Sequence, residues 1–464
     1  MSDLSGSLPS LMSSTDELSL LSSRSRGKES AISSEYDYVD VQIPDVGGAF
    51  RRSAATSAAL RSCEKTVHRP YLIVMSLLAW RPLVVNSVLW KKILNRAYCL
   101  LIFGLLVTSY VIRILLCQRS YHPHNLADMK IHHNHRKNIS AATVGPSTIP
   151  FDRLTKHCSH VVSSVVIPET IHLLAYVFVF VLYRIRESEQ LSSLMETVFI
   201  QTVNQQSSRI SHRRLVLTLR SFLVVGFLWL VVSILARTFD IVDVVHSGNS
   251  RIIAGLILLD LISHLVINLV FTAIVLNYCT QCQLLIFFVR CILLSIEERT
   301  LELDDIMKKA HSVKKFMSGL NGQIGTATSL CLFGFADLLG LGIFEFLVMM
   351  LKEHRTSLSV AHNVLFILMW LFLVAVILAQ ACRLSGMCEK LRQAGLAVRV
   401  FGYRACSSID LHSFMAFLAS LKMDAKLFAV PMKKGAVLGI TTIALLIVLL
   451  LIQLDPKVGK YVNF

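Results

Sequence analysis

The sequence predicts an all-α membrane protein of seven transmembrane helices, with its N-terminus in the cytoplasm and its C-terminus outside. Three observations carry the prediction. Of 464 residues, 54% are apolar and 16% charged, and the mean hydropathy is +0.60, a balance for which lipid rather than water is the solvent. Seven long stretches nearly free of formal charge recur along the chain. Between them, 32 of the 46 Lys and Arg fall in alternate connecting segments, beginning with the N-terminal one, against 12 in the others, with Arg113 and Arg220 inside spans. Cytoplasmic loops carry that excess. The net charge of +16 therefore reads as attraction to a membrane surface, not to nucleic acid.

Residues 1–60 are Ser-rich and polar, lack the apolar core of a signal peptide, and are expected to be a disordered cytoplasmic tail ahead of a membrane domain at 61–464. Tyr71 to Trp90 is apolar but interrupted by Arg81-Pro82; Arg and Pro at the centre of a span are costly in lipid, so it reads as an interfacial or cytoplasmic helix pair. The spans follow at about 96–117, 161–183, 220–237, 252–280, 326–350, 358–381 and 435–454. The last is the clearest: 20 uncharged residues between Lys434 and Asp455, which at 1.5 Å per residue match a hydrocarbon core of about 30 Å. Segments 281–325 and 382–434 mix both charge signs with apolar residues, as suits a protein-packed cytoplasmic anchor, and Leu411 to Phe428 is expected to be an amphipathic helix.

The loop between the first two spans carries the outside marks. It holds the one glycosylation sequon, Asn138-Ile139-Ser140, and is bracketed by Cys117 and Cys158, where an oxidising compartment permits a disulfide. The six histidines between those cysteines read as solvated loop. Cys279-x-x-Cys282 lacks a second ligand pair for zinc.

Polar residues inside spans are the candidate chemistry. Asp260, His264 and Asn268 recur every four residues on the fourth span, so they share a face in its outer half. Glu169, Thr170 and His172 on the second span, Glu345 on the fifth, and His362 and Asn363 on the sixth reach similar depth. Intramembrane ionisable groups face a protein interior or a watery cavity, so this set is either a ligand pocket open to the outside or a structural pairing, such as Asp260 with His264 or with a partner on the second span. On the seventh span Thr442, Leu446, Leu449 and Gln453 share one face, polar at both ends and apolar between, the pattern of a pore closed by dewetting. Catalytic motifs, nucleotide loops and metal-binding constellations are lacking, so neither an enzyme nor a cofactor is implied.

The C-terminal segment carries a family likeness. Ala425-Lys426-Leu427-Phe428 precedes Gly435-Ala436-Val437-Leu438-Gly439-Ile440-Thr441-Thr442, then Leu446-Ile447 and five apolar residues to Gln453-Leu454. With the inverted seven-helix topology, this resembles the insect gustatory and odorant receptor superfamily as a divergent gustatory receptor-like member. In that family Thr-Tyr stands where this chain has Leu446-Ile447, and Phe where it has Leu454. The resemblance implies a plasma-membrane homotetramer, a ligand-gated, non-selective channel for monovalent and divalent cations, opened by a small molecule. It further implies that the last helix lines the pore, with Gln453 at its outer end and Leu450 or Leu449 as a hydrophobic gate. Two alternatives differ in kind. A G-protein-coupled receptor needs the N-terminus outside, and a secondary transporter usually shows an internal repeat and broken helices, of which only Gly334, Gly340 and Gly342 give a hint.

Overall fold

Long apolar runs without proline satisfy their own backbone hydrogen bonds only as helices, and the computed structural model is built from them. It describes residues 61, 63–82, 89–134, 166–186, 190–203, 212–245, 251–350, 357–401, 407–433, 435–439 and 442. The helices in order are α1 (Arg69–Leu77), α2 (Leu89–Asn134), α3 (Ile167–Phe180), α4 (Gln190–Val203), α5 (His212–Val245), α6 (Arg251–Glu298), α7 (Leu303–Gly319), α8 (Gly325–Met350), α9 (Ser357–Phe401) and α10 (Ser408–Ser420). A two-stranded hairpin, β1 (Lys426–Leu427) and β2 (Val430–Pro431), follows.

Among the described residues, six helical stretches are long and apolar enough to cross a membrane, within Trp90–Ile112, Ile167–Ile185, Arg213–Thr238, Ile257–Glu298, Leu303–Leu347 and Val360–Ala397. The expected seventh span is described only at Gly435–Gly439 and Thr442, all helical. The tail 1–60, Asn138, Cys158, Leu446, Leu449, Leu450 and Gln453 lie outside the described residues, as does the side chain of Cys117.

Several expected boundaries move. The helices overrun the apolar windows, because hydropathy marks where lipid ends while helical hydrogen bonding continues as long as the backbone permits. The first span starts within a helix beginning at Leu89, and the sixth runs without interruption to Phe401. α6 is a single helix of 48 residues, about 72 Å at 1.5 Å rise and so more than twice a hydrocarbon core. Helix α8 passes straight through Gly334, Gly340 and Gly342, so the break they hinted at is absent. Gly342 instead admits a neighbour: a Cβ there would lie 2.9 Å from Phe366 Cδ1 on α9. Within the stretch 71–90, where a helix pair is expected, α1 ends in a turn through Leu78, Ala79 and Trp80, which are almost fully buried, and 83–88 lie outside the described residues.

The largest correction concerns Leu411 to Phe428. Its helix ends at Ser420, where Leu421 turns to extended backbone. Pro431 cannot continue a helix interior, and the intervening chain is held by foreign side chains. Asn321 receives Lys426 N–H at 2.8 Å and donates to Asp424 O at 2.9 Å; Ser385 Oγ receives Ala425 N–H at 3.0 Å and Ser329 Oγ receives Phe428 N–H at 2.9 Å. The turn itself places Phe428 and Ala429 at φ 52 and 62, the two positive values a tight hairpin requires and for which Asn-Gly is the usual signature.

α6 is the central post. It packs on α2, α4, α5, α7, α8 and α9, and nearly every side chain from Val266 to Ile296 is buried or half-buried. Wide π turns at Val181–Ile185 and Leu320–Ile324 end α3 and join α7 to α8. The N-terminal segment is bound into the same body: Cys63 Sγ meets Met195 Sδ on α4 at 3.5 Å, and Tyr176 Oη donates to Leu78 O at 3.1 Å. Burial pushes the Cys63 thiol up to about 12.

Candidate functional site

The polar stripe of α6 meets a second stripe, on α5, that the sequence reading passed over. Trp229, Ser233 and Arg237 recur every four residues there, and α5 and α6 pack against each other. Arg237 opposes Asp260, with Nη2 at 2.8 Å and Nε at 3.0 Å from one oxygen, Oδ2. Four residues along each helix, Ser233 Oγ lies 3.3 Å from His264 Nε2. The same nitrogen receives Asn268 Nδ2–H at 2.9 Å, and that amide also lies 2.9 Å from His264 O. Thr272 continues the line by donating to Asn268 O at 2.8 Å.

The expected partner of Asp260, His264 or a residue of the second span, is therefore replaced by Arg237. The reason is register: the two stripes advance by the same 6 Å per step, so fixing one pair fixes the next. Close approach between the helices is possible because residue 226 is glycine; a Cβ there would stand 3.1 Å from Leu276 Cδ1 and Thr272 Cγ2. A search of adjacent spans for complementary four-residue stripes would have found Arg237, which composition assigned to a loop. Asp260 is only 7% exposed and Arg237 27%. The second carboxylate oxygen, Asp260 Oδ1, is buried and has no hydrogen-bond partner among the described residues, and buried acceptors normally find one.

Glu169 and His172 are buried on the first turns of α3, with His172 Nδ1 3.9 Å from Glu169 Oε2. Pro168 sits at the helix start, which suits its fixed φ, and Glu169 in the first turn suits the helix dipole. The His172 ring is edge-on to Phe271 of α6 at 4.0 Å, and a Cβ at Gly334 of α8 would lie 3.5 Å from its Nε2. Glu169 and His172 thus face the α6–α8 side of the bundle.

Below these groups lies an aromatic layer. Phe271 meets Phe335 at 4.9 Å and Trp370 at 6.1 Å; Trp370 also meets Phe335 at 5.4 Å, Phe366 at 6.0 Å and Trp229 at 6.0 Å. Trp229 Nε1 donates to Met369 O at 3.4 Å. Single aromatics scattered over α5, α6, α8 and α9 gave no sequence pattern, so this layer was not anticipated. Deeper still, Asn277 donates to Tyr183 and receives Gln281 Nε2–H at 3.1 Å, beside a cavity of about 10 Å³ lined by Trp80, Tyr183, Asn277 and Ala327.

Of the remaining expected pocket residues, Asn363 donates to Met349 Sδ at 3.3 Å, joining α9 to α8. Glu345 and His362 are half-buried on those same helices. On the last helix Thr442 is exposed and donates to Leu438 O at 2.9 Å. Cys279 and Cys282 are buried thiols, and among the described residues no group of three or more His, Cys, Asp or Glu could hold a metal.

The fold and the stacked polar and aromatic layers define an all-helical, multi-pass membrane protein. Its architecture is that of solved insect olfactory receptors. The chain superposes on olfactory receptor OR5 of Machilis hrabei in complex with eugenol with a TM-score of 0.56 at 12% identity, covering 84% of this chain and 99% of that one. A second structure of the same receptor gives 0.56 at 10% identity over 84% and 98%. No protein-family model matches the sequence, and no curated protein matches it.

Proposed function

We propose that the protein is a divergent gustatory receptor-like member of the insect chemoreceptor superfamily, a ligand-gated, non-selective cation channel of the plasma membrane. The observation that carries this reading is a receptor fold shared over 84% of the chain with a protein solved bound to eugenol, combined with a polar layer resting on an aromatic floor within the same bundle. In the proposed arrangement His172, His264 and Asn268 border the ligand, with Glu169, Glu345, His362 and Asn363 at its outer rim. The aromatic floor favours a small, largely apolar molecule, and the unfilled acceptor at Asp260 Oδ1 favours one that brings a single hydroxyl or amine donor. Arg237 and Asp260 hold α5 to α6, so Asp260 has a structural share that Asn268 lacks.

The pore is assigned to the last helix of four copies, with Gln453 as an uncharged outer ring and Leu449 or Leu450 as the dry constriction. The N-terminus is assigned to the cytoplasm and Asn138 to the glycosylated face. Currents across bilayers containing the reconstituted protein test the whole, with eugenol as the first probe. Leu449→Ser or Leu450→Ser is expected to raise ligand-independent current, and Asn268→Ala to shift the concentration dependence of the response without altering assembly. A correctly assembled tetramer that stays silent in the unmodified form and in both serine variants would remove the channel assignment.

A further inference from the structure

Arg220 is one of the two basic residues that the sequence places within spans, and neither the proposed ligand layer nor the pore uses it. On α5 it stands in a stripe formed by Arg213, Leu217, Arg220, Val224, Phe227, Val231 and Leu235, spaced three and four apart and all exposed. Leu217 is 64% and Val224 59% exposed on either side of it, while Leu215 and Leu219 on the opposite side are buried. The stripe is thus the outer face of the bundle, apolar beyond Arg220 and basic before it. Arg214 is exposed beside Arg213, and among the described residues none of the three arginines has a salt-bridge partner.

An arginine facing lipid cannot leave its guanidinium in hydrocarbon; it lays its stem along the apolar surface and carries the head toward the interface. Arg213 and Arg220 are seven residues apart, about 10 Å along the axis, so the two heads converge on one headgroup level when Arg220 reaches back toward the helix start. Guanidinium forks match phosphate oxygens in pairs. The start of α2, at the same end of the bundle if α2, α3 and α5 each cross, repeats the chemistry: Trp90 is 78% exposed, and Lys92 and Arg96 are exposed among exposed Ile93 and Leu94. Tryptophan beside basic residues is the composition of a membrane interface.

We infer that Arg213, Arg214 and Arg220 form a binding site for an anionic phospholipid of the cytoplasmic leaflet, with the exposed Leu217–Val224 stripe receiving its acyl chain. The inference rests on the membrane orientation proposed above, not on conduction or on any ligand. Each arginine near an anionic surface strengthens binding by about fivefold, so loss of one should weaken the preference and loss of all three should remove it.

The test uses the full chain, extracted from vesicles of phosphatidylcholine and phosphatidylserine, with co-purifying lipid identified by mass spectrometry. Phosphatidylserine is expected to be enriched over the bulk ratio. Arg220→Gln should reduce that enrichment by about fivefold, the triple glutamine variant should abolish it, and Arg220→Lys should keep part of it. All three residues are exposed, so the variants remain folded by size-exclusion profile. A photoreactive residue at position 217 should form adducts with phosphatidylserine. No enrichment in the unmodified protein, equal enrichment in the triple variant, or a position-217 adduct joining two chains would each overturn the site; the last would assign the face to contact between copies. Because the readout is bound lipid, a silent channel leaves this result intact.

Discussion

The polar layer between α5 and α6, here called the outer layer, and the clamp around the hairpin are both polar devices inside an apolar bundle, but they are built differently. In the outer layer side chains meet side chains: Arg237 meets Asp260, and Ser233 and Asn268 meet His264. In the clamp side chains meet backbone: Asn321, Ser385 and Ser329 hold Asp424, Ala425, Lys426 and Phe428, whatever residues those positions carry. A side-chain pair depends on two particular residues and leaves a stranded charge when one is lost. A backbone clamp depends on one residue and tolerates change in the segment it holds. Under the proposed function, the first kind suits a region that responds to a ligand and the second a segment that holds a fixed backbone path.

Breaking the outer pair should have the largest effect. Asp260→Ala strands Arg237, and loss of one partner of a buried pair costs about 3–5 kcal/mol; with Arg237 27% exposed, about 3 kcal/mol is expected, read as reduced thermal stability of the solubilised protein. Replacing both residues by leucine should restore most of it, since the desolvation cost disappears with the charges. If the double variant is no better than Asp260→Ala, the pair is not the source of the stability.

Breaking the clamp should cost less and act locally. Asn321→Ala removes one donor and one acceptor, about 1–2 kcal/mol. Protease cleavage or hydrogen exchange within 421–433 should rise while the outer layer keeps its protection. Uniform loss of protection would mean that clamp and outer layer unfold as one unit.

The smallest effect sharpens the comparison in the opposite direction. Ala429 holds φ 62, a left-handed conformation that costs a side-chain-bearing residue about 1–2 kcal/mol, whereas glycine adopts it freely but loses up to about 1 kcal/mol in chain entropy. Ala429→Gly should therefore stabilise the hairpin by about 0.5 kcal/mol, visible as slower exchange of Met432 N–H, which donates to Ala425 O at 2.8 Å. A loss of stability would place the origin of the turn in packing of the Ala429 methyl group instead of in backbone geometry.

The sequence by itself determined the solvent, the helical class, the places along the chain of six apolar helices, though for three of them not where the helix begins or ends, and the stripe of Asp260, His264 and Asn268. These are properties of single residues or of neighbours within one helix, where hydropathy and 3.6-residue periodicity act locally. Only the tertiary structure decided what the stripe faces. Arg237 was beyond reach because its role depends on the register between α5 and α6, and the Phe271–Phe335–Trp370 floor because it gathers residues up to 99 positions apart. The hairpin was hidden for a different reason: Phe428-Ala429 has none of the usual turn chemistry, and the chain there is held from outside by Ser329 at Phe428 and by Asn321 at Asp424 and Lys426, both far earlier in the chain. Local chemistry fixes which helices form, while partner choice is settled by contacts that exist only after those helices have packed.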